Sequence, residues 1–154
     1  MIEFVEYDET FLELSWKWLN DPVIKKMTNT PDFTKEQQQK WFLSLKDKKD
    51  YVISGILYNK QKVGALGLKN ITATSTETFL YIGEKEHWDK GFAHAAFQWS
   101  VKKAKELQLQ KICAVVVKSN TRVIKVNKLI GYKIIEEKSD SEKVVMEYHL
   151  AQFK

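Results

Sequence analysis

The 154 residues predict an α/β (α+β) domain built on a mixed sheet with helices on both faces. Three observations carry that expectation. Thr78 to Ile82 is a β-branched and aromatic strand, a polar turn follows, and a long amphipathic helix then leads to a second apolar strand, Ile112 to Val117: a crossover unit. Tyr51 to Tyr58 and Lys62 to Ile71 read as strands joined through Asn59-Lys60-Gln61, a hairpin by spacing. The N-terminal third carries apolar residues at helical spacing, interrupted only by Pro22 and Pro31.

Each element has a local cause. Ile2 to Glu6 alternates and predicts a short strand. Asp8 offers a cap to a helix carrying Phe11, Leu14, Trp18 and Leu19, which stops near Asn20-Asp21-Pro22. Val23 to Met27 predicts one further helical turn. Thr34 and Gln37 form a capping-box signature ahead of Trp41, Phe42 and Leu45. The long helix starts near Gly91, with Ala93, Phe97, Val101, Ala104 and Leu107 as its stripe. Ile112 to Val117 is apolar at successive positions, as when both faces of a strand are covered. A helix from Thr121 to Ile130 ends at Gly131. Tyr132 to Glu136 and Lys143 to Leu150 are the last strands, with a turn at Ser139-Asp140-Ser141.

Composition narrows the class. A length of 154 residues suits one domain, expected over 1–154, and 44% hydrophobic with 29% charged residues is that of a soluble globular protein. No run approaches the roughly 18 apolar residues of a membrane span, so no membrane partner is expected. The opening MIEFVEYDE is acidic and lacks the basic region of a secretory signal, so a cytoplasmic location is expected. The single cysteine, Cys113, sits in an apolar run and reads as a packed thiol rather than a nucleophile. His87 and His149 show no metal-ligand spacing, and no metal is expected. A net charge of +5 favours anionic ligands, but the lysines are interleaved with acids, as at Lys46 to Asp50, so nucleic acid is not an expected partner.

The turn before the long helix is the candidate site. Gly91 lets backbone N–H groups approach a ligand, and a fresh helix end presents unpaired N–H groups with partial positive charge. Together they suit a pyrophosphate. An ordinary strand-to-helix turn could carry the same residues.

The stretch YIGEKEHWDKGFAHAA, from Tyr81 to Ala96, resembles the acetyl-CoA loop of the GNAT N-acetyltransferases. It is most similar to the branch of ribosomal-protein N-terminal and amino-sugar N-acetyltransferases. Trp88 stands where the general pattern has Gln or Arg, a variant usual in that branch; Gly91 and Ala93 take the small positions. Asn120 to Tyr132 is similar to the family's Asn-x-x-Ser-x-x-x-Tyr-x-x-x-Gly-Phe segment. The resemblance implies a GNAT-like, mostly antiparallel sheet and acetyl-CoA as co-substrate. It implies a donor site of Trp88, Asp89, Lys90, Gly91, Phe92 and Ala93 at the pyrophosphate, with His94 beside it. A bulged strand, Leu80, Tyr81, Ile82 and Gly83, would run along the pantetheine arm, and Asn120 would contact coenzyme A.

For catalysis, Glu77 is the candidate general base, since the branch commonly has Glu at that strand start; a solvated strand-end glutamate is the alternative. Asn127 stands where the family often has the tyrosine that protonates the thiolate. It is polar in a stripe with Val123 and Ile130, which fits either a structural hydrogen bond or a contact to the donor. The expected acceptor is the primary amine of a small molecule. The Trp16-to-Pro22 segment resembles one in enzymes that acetylate nucleotide-linked amino sugars; Trp16 and Trp18 face different ways, which fits either one in the core with the other stacking on a sugar or base, or both as core or rim residues. A protein N-terminus or a polyamine is the alternative acceptor, and a non-catalytic acyl-CoA sensor the alternative function. A monomer or a homodimer fits equally.

Overall fold

Helices start where the sequence supplies caps. In the computed structural model, which describes residues 1–153, Asp8 Oδ1 accepts from the Thr10 and Phe11 N–H groups and opens α1 (Glu9–Asn20). Asp21 does the same for Val23 and Ile24 at the head of α2 (Pro22–Met27). Thr34 and Gln37 form both arms of the capping box of α3 (Lys35–Ser44). Asn120 caps α5 (Thr121–Ile130) through Val123 N–H at 3.4 Å. The exception is α4 (Phe92–Glu106). Its N-cap is Gly91, left-handed at φ 81°, with no side-chain cap.

The strands are β1 (Ile2–Glu6), β2 (Val52–Tyr58), β3 (Gln61–Lys69), β4 (Ser75–Ile82), β5 (Lys111–Val117), β6 (Lys133–Ile134) and β7 (Lys143–His149). They form one mixed sheet in the order β1-β2-β3-β4-β5-β7-β6, antiparallel throughout except for β4 beside β5. The expected hairpin turn is present: Asn59 and Lys60, at φ 49° and 70°, take the left-handed turn that follows the sheet's twist.

Helices cover both faces. On one, α1 and α3 pack Phe11, Leu12, Trp18 and Trp41 against Tyr7, Ala65 and Tyr81. On the other, Phe92 and Ala96 of α4 meet Ile56, Leu66 and Ile82, while Val101 and Ala104 join Ile112, Met146 and Tyr148. The strand covered on both faces is β3, buried at every position from Val63 to Leu68. The sequence placed that character on β5, and there the structure differs. Ile112, Ala114 and Val116 are buried under α4, whereas Val115 on the opposite face is 40% exposed. Leu107 likewise leaves the α4 stripe; it caps the helix at 46% exposure, and the chain turns at Gln108 to bury Leu109.

Two further expectations change. The strand predicted from Tyr132 to Glu136 shrinks to β6, because Tyr132 is buried beneath α4 and Glu136–Lys138 winds into a 3-10 turn. The bulge expected within Leu80 to Gly83 is displaced. Strand β4 keeps regular register with β3 up to Ile82 opposite Gly64, and only then do two successive N–H groups, Gly83 and Glu84, fall on the single Val63 carbonyl.

The feature that positions the site is where β4 and β5 part. Their parallel register runs from Ser75 opposite Lys111 to Thr78 opposite Ala114 and stops, although β4 continues to Ile82 and β5 to Val117. Beyond that point each strand keeps its outer neighbour and loses its inner one.

Candidate active site

A cavity of about 750 Å³ lies at this gap and takes its lining from both faces of the sheet. From the α4–α5 face come Ala93, Phe97, Ser100, Asn120, Val123, Asn127 and Tyr132. From the α1–α3 face come Tyr7, Ser15, Gln38, Trp41, Tyr51, Phe79 and Glu77. One continuous space therefore touches both layers of helices at the strands' parting.

On the α4–α5 face the space is quiet chemically. Asn127 projects from α5 into it, and its amide donates to the Met146 sulfur at 3.8 Å, a weak partner that leaves most of its hydrogen-bonding capacity free. Tyr132 lies beside it. Burial pushes its phenol up to about 12, with the Thr78 hydroxyl pulling the other way, so the phenol stays protonated. Thr78 in turn donates to the Cys113 carbonyl at 3.2 Å, at the last paired position before the gap. Burial, then Glu77 and Glu147, raise the Cys113 thiol to about 11, which leaves it a packed, unreactive thiol.

The opposite face holds the Glu77 carboxylate and the Tyr7 and Tyr81 phenols. Glu77, Phe79 and Tyr81 alternate along β4 toward it. Lys69, directly opposite Glu77 in register, brings its Nζ to 3.3 Å from the carboxylate, and the Asn70 amide lies at 3.4 Å. Deeper in, the Tyr7 hydroxyl and Ser15 Oγ lie 2.8 Å apart, and Gln38 donates to Ser15 at 3.2 Å. Burial raises the Tyr81 phenol well above its ordinary value, the Tyr7 charge adding to it.

The residues expected at the site divide by place. Glu77, Leu80, Tyr81, Ala93, Asn120 and Asn127 line the cavity; Ile82, Gly83, Trp88, Asp89, Lys90, Gly91, Phe92 and His94 do not. Among these, Ile82 and Phe92 are buried against each other's cluster. A Cβ at Gly83 would collide with the Trp18 indole, so this glycine is needed for packing. Trp88 folds back, its Nε1 donating to the Ile82 carbonyl at 2.8 Å. Asp89, Lys90, Gly91 and His94 are exposed, and a Cβ built on Gly91 meets nothing within 4 Å. The space on the Cβ side of Gly91, at the head of α4, is thus open.

Neither tryptophan of the Trp16-to-Pro22 segment lines the cavity. Trp18 is buried, and Trp16 has its ring taken by Phe33 and Lys35. The aromatic surface belongs to Trp41, Tyr51 and Phe79, with Tyr51 stacked on Phe79 at 5.6 Å. Sequence reasoning missed these three, which read as core, and it missed Lys69, whose approach to Glu77 depends on strand register. It also missed Arg122, whose signal was legible: it is the lone arginine among 25 basic residues.

Among the described residues there is no group of three His, Cys, Asp or Glu that could hold a metal ion, and no helix long and apolar enough to cross a membrane.

Comparison with known proteins agrees with this geometry. The model of the acetyltransferase (GNAT) domain matches residues 2–133, and the chain belongs to that family of acyltransferases. An uncharacterized protein of Methanocaldococcus jannaschii is 25% identical over 134 residues, 85% of this chain. The chain spans only 28% of that relative's length. Among solved structures, spermidine N-acetyltransferase from Vibrio cholerae in complex with CoA and spermine superposes with a TM-score of 0.84 at 16% identity, over 98% of this chain and 96% of that one. Campylobacter jejuni N-acetyltransferase PseH in complex with acetyl coenzyme A gives 0.72 at 18% identity, over 97% and 99%. At such identities these two share the fold.

Proposed function

We propose that the chain transfers the acetyl group of acetyl-CoA to the primary amine of a small acceptor. The observation that carries this reading is the cavity at the β4–β5 gap, open to both faces of the sheet. An acyl donor laid from one face and an amine offered from the other would meet where the strands part. Family membership and the CoA-bound V. cholerae and C. jejuni proteins support acetyl-CoA as the donor.

The residues fit that donor. The α4 N-terminus has no side-chain cap and the space over Gly91 is open; within Trp88 to Ala93 the Trp88 and Lys90 N–H groups already donate to the Lys85 and His87 carbonyls, so Gly91, Phe92 and Ala93 would offer theirs to a pyrophosphate, with Lys90 and His94 side chains at its edge. The unpaired edge of β4 from Leu80 to Gly83 offers backbone groups to an extended pantetheine arm. Asn120 and Asn127 would flank that arm from α5.

Acetyl-CoA would supply an activated thioester; the chain's own groups handle protons and position. Glu77, with the Lys69 ammonium 3.3 Å away, would take the proton of the incoming ammonium through water. Asn127 would donate a hydrogen bond to the departing thiolate. A thiol of pKa near ~8.5 leaves without full protonation, so an amide suffices where an acid is absent.

A nucleotide-linked amino sugar is the acceptor we favour. The Trp16-to-Pro22 resemblance supports it, as does the aromatic surface of Trp41, Tyr51 and Phe79, suited to stacking on a base or sugar. A polyamine needs free carboxylates. The two carboxylates lining the cavity, Asp32 and Glu77, already hold Lys25 and Lys69. This reading takes 1–154 as one domain acting in the cytoplasm.

The test is release of free thiol from acetyl-CoA with a panel of amines: a nucleotide 4-amino sugar, spermidine and a peptide with a free N-terminus. Turnover with the amino sugar supports the proposal. Turnover confined to spermidine or the peptide moves the acceptor. CoA binding without thiol release from any amine makes the chain a sensor and overturns catalysis.

A further inference from the structure

The loop between β4 and α4 is tied from two sides. Toward α1, Trp18 Nε1 donates to Glu84 at 3.1 Å and Lys85 Nζ lies 2.7 Å from Asp21. Toward α5, Arg122 reaches across from the helix's first turn. Its Nη2 donates to the Trp88 carbonyl at 3.0 Å and pairs with the Asp89 carboxylate. A lysine would supply the same charge; what arginine adds is a planar fork of donors matched to carboxylate and phosphate oxygens.

The pair with Asp89 does not use that fork up. The Arg122 side chain is 55% exposed and that of Asp89 82%, so the ion pair is solvated and holds the loop weakly. The Trp88 carbonyl occupies one donor only. Two other donors on this stretch are committed elsewhere, the Trp88 indole N–H to Ile82 and Lys85 to Asp21, while Lys90 is exposed and offers a point charge without a fork. Arg122 is thus a cation with spare donors, held within two residues of Gly91 and beside Asn120 and Val123 of the cavity wall.

We propose that Arg122 binds the pyrophosphate of the donor, and that Asp89 is the carboxylate the phosphate displaces from the guanidinium. The inference rests on the donor-site reading above. The Trp88 carbonyl keeps the side chain aimed at the loop while the remaining donors pass from Asp89 to phosphate. Asp89, a negative charge beside the incoming phosphate, opposes binding. The two members of one ion pair therefore act in opposite directions.

The experiment is calorimetric titration of CoA, and separately of dephospho-CoA, into the wild-type chain and the Arg122→Ala, Arg122→Lys and Asp89→Asn variants, each checked by thermal melting. Loss of a hydrogen bond to a charged group should weaken both ligands by about tenfold or more in Arg122→Ala. Arg122→Lys should recover part of that loss, and Asp89→Asn should bind at least as tightly as wild type. If Arg122 serves only to tie the loop, Asp89→Asn will weaken CoA as Arg122→Ala does, and the proposal falls. A loss seen with CoA but not with dephospho-CoA puts the guanidinium on the 3′-phosphate and overturns the pyrophosphate assignment. Should Arg122→Ala melt early, the contrast between Arg122→Lys and Asp89→Asn decides alone. Wild type that binds neither ligand refutes the donor site itself; tight wild-type binding matched by Arg122→Ala refutes only the role of Arg122.

Discussion

Replacing Gly91 by alanine separates backbone strain from ligand contact. Gly91 sits at φ 81°, ψ 20°, and an added Cβ meets nothing within 4 Å, so the substitution brings no clash. What remains is the left-handed penalty of roughly 1–2 kcal/mol for a residue with a Cβ. The stiffer unfolded chain offsets about 0.4–1 kcal/mol of it. A net loss near 1 kcal/mol lowers the melting temperature of a chain this size by about 2–4 °C. The same methyl stands where phosphate oxygens would meet the α4 N–H groups. Losing one charge-assisted hydrogen bond weakens binding by about 1.5–3 kcal/mol, which is about ten- to a hundredfold in Kd. Thermal melting and CoA calorimetry on one preparation read both quantities. A folded Gly91→Ala protein with unchanged CoA affinity refutes the phosphate cradle. A much larger fall in melting temperature refutes the open space above Gly91.

Glu77→Gln should lower turnover by about 10²–10⁴-fold, abolish the acidic limb of the rate profile and leave CoA affinity alone; wild-type turnover would move the base elsewhere. Asn127→Ala should lose a hydrogen bond of about 0.5–1.5 kcal/mol, a modest drop in kcat, whereas Asn127→Tyr should keep or raise it; inactivity of the alanine variant alongside full activity of Tyr132→Phe would give Asn127 a larger role than orientation. Burial alone would push Glu147 up, yet hydrogen bonds from Lys138 and Lys111 outweigh it and hold the carboxyl below its usual range. A lowered folded pKa contributes stability that is present above the unfolded value and is lost as pH falls through the folded one. Acid unfolding of Glu147→Gln should therefore be flatter below about pH 4.5 than that of wild type, and identical acid limbs would remove the carboxylate from that role.

What the sequence disclosed is what local chemistry decides. Asp8 and Thr34 cap their helices because the bonded partners lie within three residues. Gly91 and Gly131 mark helix ends by their own backbone freedom. The element order followed from such signals. The remainder depends on which distant residues meet. An apolar run cannot say whether its second face meets a helix, as at β3, or a cavity wall, as at Val115 and Val117. Trp16 and Trp18 fall on different faces, as their spacing on a helix dictates, but which neighbour each meets is not local: Trp16 packs on Phe33 rather than facing a ligand site. Glu77 was visible as a residue type, while its pairing with Lys69 needed the β3–β4 register. Arg122 was conspicuous by its rarity, yet its reach to Trp88 depends on α5 folding back beside the loop.

The parting of β4 and β5 also changes what an open strand edge means. Unpaired edges ordinarily lie at the rim of a sheet, where they invite other chains to pair and aggregate. Here two such edges, past Thr78 and past Ala114, lie in the middle of the sheet. Helices stand above and below them, and the rims are left to β1 and the two-residue β6. Adhesive backbone is thereby shielded from anything as bulky as a neighbouring strand with its side chains. It stays within reach of a slender, unbranched chain threaded lengthwise. Selection by girth comes before any selection by functional group.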